Sequence, residues 1–190
     1  MLSAAWAAFL LKEQPFDRFD FPRWQAVLGI SLLGALVGLD PATVAAEPNV
    51  PIVALAWLGL LLLWGAFLTS YWFMRWWMKR GGRWDGRGDL FNLMAAAWFV
   101  VNLVGCALSL LGVPMILLMP IWLFSIWVLG NALSGAIPKA SLGYSIVGIL
   151  LAGVPVTLVM LVLAALFGFV AMALGWVSVP SGDGSLIPVG

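Results

Sequence analysis

The sequence predicts an all-α membrane protein: a polytopic transmembrane bundle of five helices, N-terminus cytoplasmic and C-terminus outside, preceded by a short interfacial N-terminal helix. Three observations carry that expectation. Of 190 residues, 64% are hydrophobic and only 9% charged, with a mean hydropathy of +1.09, whereas about a quarter of the residues of a soluble domain are charged. The apolar residues gather into five runs, each near or above the roughly 20 residues that a spanning helix needs. The Lys and Arg residues fall only in alternate connecting segments.

Leu2 to Leu11 reads as a short helix in or near the cytoplasmic interface, stopped by Pro15. It has no basic residue ahead of its apolar part, and Lys12 and Glu13 follow directly, which argues against a secretory signal. Phe16 to Arg23 then alternates aromatic and charged residues, a pattern suited to the headgroup region. The first span covers about 24–39 and carries Gly34 and Gly38 as a GxxxG pair, expected to admit a neighbouring helix closely. Its following linker, 40–51, holds Asp40 and Glu47 but no Lys or Arg.

The second span, about 52–74, is uncharged and runs into Tyr71 to Asp89, where Arg75, Lys79, Arg80, Arg83 and Arg87 are interleaved with Trp72, Trp76, Trp77 and Trp84. Aromatic and basic residues together mark the cytoplasmic boundary of a membrane helix. Arg75, Trp76, Trp77, Lys79 and Arg80 are therefore the expected contacts for anionic lipid headgroups. The third span, about 90–112, sets Asn102, Gly105, Cys106 and Ser109 on one helical face, a small and polar stripe expected to pack against other helices. The fourth, about 113–133, follows through a tight uncharged hairpin and contains Pro120. After Lys139 comes the last apolar run, 143–177, which is too long for one upright helix. Pro155 divides it into an interfacial segment, 143–154, and a fifth span, 155–177, or kinks it. The whole chain, 1–190, is thus one transmembrane domain.

Charge gives the orientation. All nine Lys and Arg lie in the N-terminal segment, the second loop or the fourth loop, so the positive-inside rule puts the N-terminus in the cytoplasm. Five spans then leave the C-terminus outside.

The same inventory argues against most chemistry. The chain has no histidine, the commonest general base and metal ligand. Ser134 thus has only Lys139 nearby to activate it, and a lone lysine in a cytoplasmic loop marks topology more often than catalysis. Gly81 to Gly88 has the outline of a phosphate loop, but Arg87 and Gly88 stand where Lys and Ser or Thr are required. The carboxylate pairs Asp17 with Asp20 and Asp85 with Asp89 sit among arginines and balance their charge. None of the five spans holds an ionisable acid or base of the kind an ion-coupled carrier keeps in the membrane. The lone Cys106 forms no internal disulfide. No enzyme activity, cofactor, metal, nucleotide or nucleic-acid partner is expected.

The order of features is also suggestive: an N-terminal helix leading to Pro15-Phe16 and Trp24, a Gly81-Gly82 turn before Leu90, and IWLFSIWVLGNALSGAIPKASLGYSIVGILL from Ile121 to Leu151. In this layout the chain resembles the bacterial branch of the Yip family, five-span membrane proteins whose eukaryotic relatives interact with Rab GTPases. The resemblance implies a cytoplasmic N-terminus, a five-helix bundle and no catalytic residues. Its N-terminal region is too short for the soluble arm of the eukaryotic members, so a Rab-type partner is not implied. The expectation is a non-enzymatic protein of a bacterial inner membrane, a scaffold that packs against anionic lipids and other membrane proteins. An accessory subunit of a larger complex and a carrier or channel for a neutral or lipid-like molecule are the alternatives. A subunit would bury Trp57, Trp64, Trp98, Trp122 or Trp127 against a foreign chain, and a carrier would open a polar cavity near Asn102 and Asn131.

Overall fold

The computed structural model describes residues 1–177, 179–180 and 186–187. Its helices are α1 (Leu2–Phe9), α2 (Arg23–Gly38), α3 (Pro41–Ala46), α4 (Ile52–Arg80), α5 (Leu90–Leu110), α6 (Met115–Ala136) and α7 (Leu142–Ala173), with a 3₁₀ turn at Phe16–Phe19. Val179–Pro180 and Leu186–Ile187 form a two-residue antiparallel ladder. Five helices are long and apolar enough to cross a membrane: α2 with its continuation α3, α4, α5, α6 and α7.

Proline and short polar side chains set where these helices start. Pro22, Pro51 and Pro114 hold the position before α2, α4 and α6, and Pro41 opens α3. At each of these positions the missing N–H would have had no helical partner. Asp40, Asp89 and Ser141 cap α3, α5 and α7 by accepting from Ala42 N, from Phe91 N and Asn92 N, and from Tyr144 N.

In space the long helices close a ring, α2 to α4 to α7 to α6 to α5 and back to α2. The tightest seam is α2 on α4. A side chain at Gly34 would stand 2.9 Å from Leu60 Cα, one at Gly38 would run into the Leu55 carbonyl, and one at Gly59 would run into Gly34 O and Gly38 N. Three glycines thus bring two backbones together, as small residues do in lipid, where burial of apolar surface gives no drive for association. Trp64 Nε1 donates to Ser31 Oγ at 3.1 Å on the same seam.

Buried side chains concentrate toward one end of the ring: Ala26, Ile30 and Leu33 of α2, Phe67, Met74 and Met78 of α4, Leu93 and Met94 of α5, Val128 and Leu133 of α6, Ala152 of α7. At that end the three basic segments meet. Asn131 Nδ2 donates to Leu11 O, Arg23 pairs with Asp89 at 2.9 Å, and Arg83 Nη1 donates to Lys139 O at 3.0 Å. The opposite end carries Asp40, whose carboxylate accepts from Ser109 Oγ.

Of the two readings of the last apolar run, the single helix holds: α7 is continuous from Leu142 to Ala173 with Pro155 inside it, so 143–154 is not a separate interfacial segment. Its first turns pack in the bundle, with Ser145, Gly148 and Ala152 buried. A single lost backbone bond at Pro155 is tolerated, because unwinding in lipid would strand many more polar groups. Helix α1 has no polar face. It lies on α5 and α6 with Ala4, Ala5 and Ala8 inward and Leu2, Trp6 and Leu10 outward, and Phe9 meets Phe124 edge-on at 5.5 Å. It is therefore an apolar strut on the bundle as much as an interfacial segment.

Candidate functional site

Helix α4 has 29 residues, about 43 Å at 1.5 Å per residue, which exceeds a hydrocarbon core of about 30 Å by roughly nine residues. The surplus lies at the end where the basic residues are. Trp57 and Trp76 are both exposed, at 62% and 48%, and their separation along the helix is about 28 Å, the interval between two aromatic belts. The last turns of α4 consequently stand at headgroup depth when the helix spans a bilayer.

Trp72, Arg75, Trp76, Lys79 and Arg80 follow one another at i, i+3, i+4, i+7 and i+8, so they share one helical face. That face points away from the bundle. The Arg75 guanidinium lies over Trp72 at 5.5 Å and donates to Tyr71 Oη at 3.0 Å. Arg80 lies over Trp76 at 5.2 Å, and Lys79 over Trp84 at 5.6 Å. Each cation is therefore steadied by an indole face, which attracts positive charge without neutralising it. Among the described residues, the ion pairs are Arg23 with Asp89 and Arg87 with Asp85; Arg75, Lys79 and Arg80 have no carboxylate partner.

Trp77 does not belong to this face, although the sequence placed it there. One position beyond Trp76 turns it about 100° around the helix. It donates from Nε1 to Tyr144 O at 3.3 Å and stacks on the Tyr144 ring at 5.1 Å, while Tyr144 Oη donates to Trp77 O at 2.9 Å. Trp77 thus fastens α4 to α7, and Gly148 leaves the space for its ring.

The helix-packing residues divide in a similar way. Gly34 and Gly38 form the α2 side of the seam with Gly59, a partner missed in the sequence because the two glycines of α4, Gly59 and Gly65, are six residues apart and make no GxxxG pair. On α5 the expected packing stripe is only half-buried. Asn102 Nδ2 donates back to Trp98 O at 2.8 Å, Ser109 bonds Asp40, and an added side chain at Gly105 would meet nothing within 4 Å. Gly105 is therefore not a close-packing position, and Cys106 is half-buried beside it. The α5 surface that packs is instead Leu93, Met94, Ala96, Val100 and Val101.

Next to the α4 face, a groove of about 450 Å³ runs between the 3₁₀ turn, the α4–α5 loop and the α6–α7 loop. Asp17, Arg83, Asp85, Arg87 and Lys139 line it, so its charge is mixed, unlike that of the α4 face. Gly88 lets the loop close on Phe16, whose ring lies where a side chain would go, and its φ of +81° suits glycine. Asp89 then does two jobs, capping α5 and pairing with Arg23. Asp89→Ala should lower stability by about 1–2 kcal/mol through the lost cap, whereas Arg23→Gln should lower it by less than about 1 kcal/mol because an exposed ion pair contributes little. Denaturant titration of the two purified variants in detergent checks the difference.

Asn102 and Asn131 are not brought together. Asn131 bonds Leu11 near the basic end, and Asn102 bonds its own helix nearer the other. Of the tryptophans, Trp64 and Trp98 pack inward around Phe67, while Trp57, Trp122 and Trp127 face out at 62%, 61% and 48% exposure. Ser125, Ser134 and Thr157 donate to carbonyls of their own helices, which satisfies them in an apolar surround.

The five apolar helices and their tryptophan-rich outer surface define a multi-pass membrane protein. No family model matches the chain, and no curated protein or solved structure is significantly similar to it.

Proposed function

We propose that this is a non-enzymatic protein of a bacterial inner membrane that acts by packing helices and lipids, with the outer face of α4 holding anionic headgroups. The observation that carries this reading is the set of three cations, Arg75, Lys79 and Arg80, that lie over indoles at headgroup depth and have no carboxylate partner among the described residues. Each basic residue near an anionic surface adds about 1 kcal/mol of attraction. The family likeness stands as part of this proposal, supported by the five-helix layout. So does the orientation, with the basic end in the cytoplasm. An accessory subunit is the second reading, carried by Trp122 and Trp127 on α6, whose outward rings are open to lipid or to a partner chain.

Orientation has a direct test. In a Cys106→Ala background, an impermeant maleimide added to intact cells lacking an outer membrane barrier should label Glu47→Cys and leave Asp85→Cys unlabelled until the inner membrane is opened. Labelling of Asp85→Cys alone in closed cells would overturn the proposed orientation. For the lipid reading, the purified chain should retain phosphatidylglycerol over phosphatidylcholine in native mass spectrometry, and equal retention would count against it.

A further inference from the structure

The cations on α4 are spaced as two seats. Arg75 stands alone, tethered through Tyr71 Oη and the Trp72 ring. Lys79 and Arg80 are adjacent, four and five residues further on, a rise of about 6–7.5 Å or a little over one turn. The indoles beneath Arg75 and Arg80, Trp72 and Trp76, are 61% and 48% exposed on the outward face, and Lys79 lies at its edge over Trp84 of the α4–α5 loop. No carboxylate fills either seat among the described residues. The basic residues of the neighbouring loop are engaged differently: Arg83 with the Lys139 carbonyl and Arg87 with Asp85.

We infer that this face selects a lipid with two phosphodiesters joined by a short bridge, a diphosphatidylglycerol, over lipids with a single phosphate. This rests on the proposal that the face holds anionic headgroups. The chemistry of such a lipid fits the spacing: its two phosphates are separated by a three-carbon glycerol bridge, which covers about one helical turn. One phosphate sits at the Arg75 guanidinium and the other between Lys79 and Arg80. The acyl chains run down the apolar face below, along Leu68 and Leu61, which are exposed on the same side of α4. Once the first phosphate is seated, the second is held at high local concentration, so the linked pair outcompetes two separate monoanionic lipids. A soluble diphosphate has the same charges but no chains to lie on α4, and it is not expected to compete.

The test is native mass spectrometry of the full chain in detergent, with diphosphatidylglycerol and phosphatidylglycerol supplied at equal total phosphate and pyrophosphate added in a separate arm. The wild-type chain should prefer the two-phosphate lipid by about tenfold. Arg75→Gln, and separately the pair Lys79→Gln with Arg80→Gln, should each bring the preference to parity, because one seat then remains. Arg75→Lys keeps the charge and should keep most of the preference. Wild-type retention of both lipids without preference overturns the two-seat inference and leaves headgroup binding standing. Retention of neither lipid overturns both, and displacement of the lipid by pyrophosphate overturns the assignment to a lipid. A preference that survives both Gln variants also contradicts it. Unchanged thermal unfolding of the variants shows that any loss lies in binding and not in folding.

Discussion

Gly38→Leu should separate α2 from α4 and lower stability by about 3 kcal/mol, the upper part of the range for overpacking a close contact. The reason lies in what the new side chain meets. At Gly38 it meets the backbone carbonyl of Leu55, and at Gly59 the backbone of Gly34 and Gly38. Backbone in the middle of a helix has no rotamer to change, so the helices must move apart, and the Trp64 to Ser31 hydrogen bond on the same seam is then stretched or lost. Gly59→Ala should act in the same direction, since even one methyl collides. Gly105→Ala is the internal control, with open space around it, and should be neutral or stabilising by up to about 1 kcal/mol because alanine restricts the unfolded chain. Steric trapping or detergent-denaturation of the variants measures these differences. Equal effects at positions 38 and 105 would contradict the role assigned to the three-glycine seam.

The second large effect belongs to the outer face of α4. Replacing Arg75, Lys79 and Arg80 together by glutamine removes about 3 kcal/mol of attraction to an anionic surface, on the order of a hundredfold in retention of a bound anionic lipid. The fold should survive, because these side chains reach outward and make no ion pair among the described residues. Trp77→Leu should do the opposite. It removes the Nε1–H bond to Tyr144 O and the stack on the Tyr144 ring that join α4 to α7, leaving only the bond from Tyr144 Oη to the backbone carbonyl of residue 77. It should lower stability by about 2 kcal/mol or more, as expected for truncating a packed aromatic side chain, with lipid retention little changed. The two variants therefore separate binding from packing within two neighbouring turns of one helix.

Much of this architecture could be read from the sequence. Five apolar runs separated by charged or proline-bearing segments are sufficient to place five helices, because in lipid every backbone polar group must be satisfied within the segment. The clustering of basic segments at one end was legible for the same reason: charge is excluded from the runs, so it gathers between them. The lengths were less legible. Helix α4 continues through the basic residues to Arg80, and α7 passes through Pro155, because the helix is set by hydrogen bonding along the chain and does not stop where hydrophobicity does.

Which side of a helix faces inward was harder still. A stripe such as Asn102, Gly105 and Ser109 shows that polar and small residues share a face, but not whether a neighbour lies against it. Trp77 and Trp76 look alike in sequence; only Tyr144, sixty-seven residues away, distinguishes them. Gly59 gives no signal until α2 is laid across it. The basic residues of α4 were legible as a group, whereas their division from the paired Arg23 and Arg87 depends on Asp89 and Asp85 being within reach in space.

The measurement that bears most directly on the central claim is retention of anionic lipid by the wild-type chain and by the Arg75→Gln, Lys79→Gln, Arg80→Gln variant, both extracted gently and weighed intact. A wild-type chain that keeps phosphatidylglycerol or diphosphatidylglycerol, beside a folded variant that has lost on the order of a hundredfold in retention, is the predicted result. A folded variant that keeps the same lipids as the wild type would show that the cations on α4 do not hold headgroups.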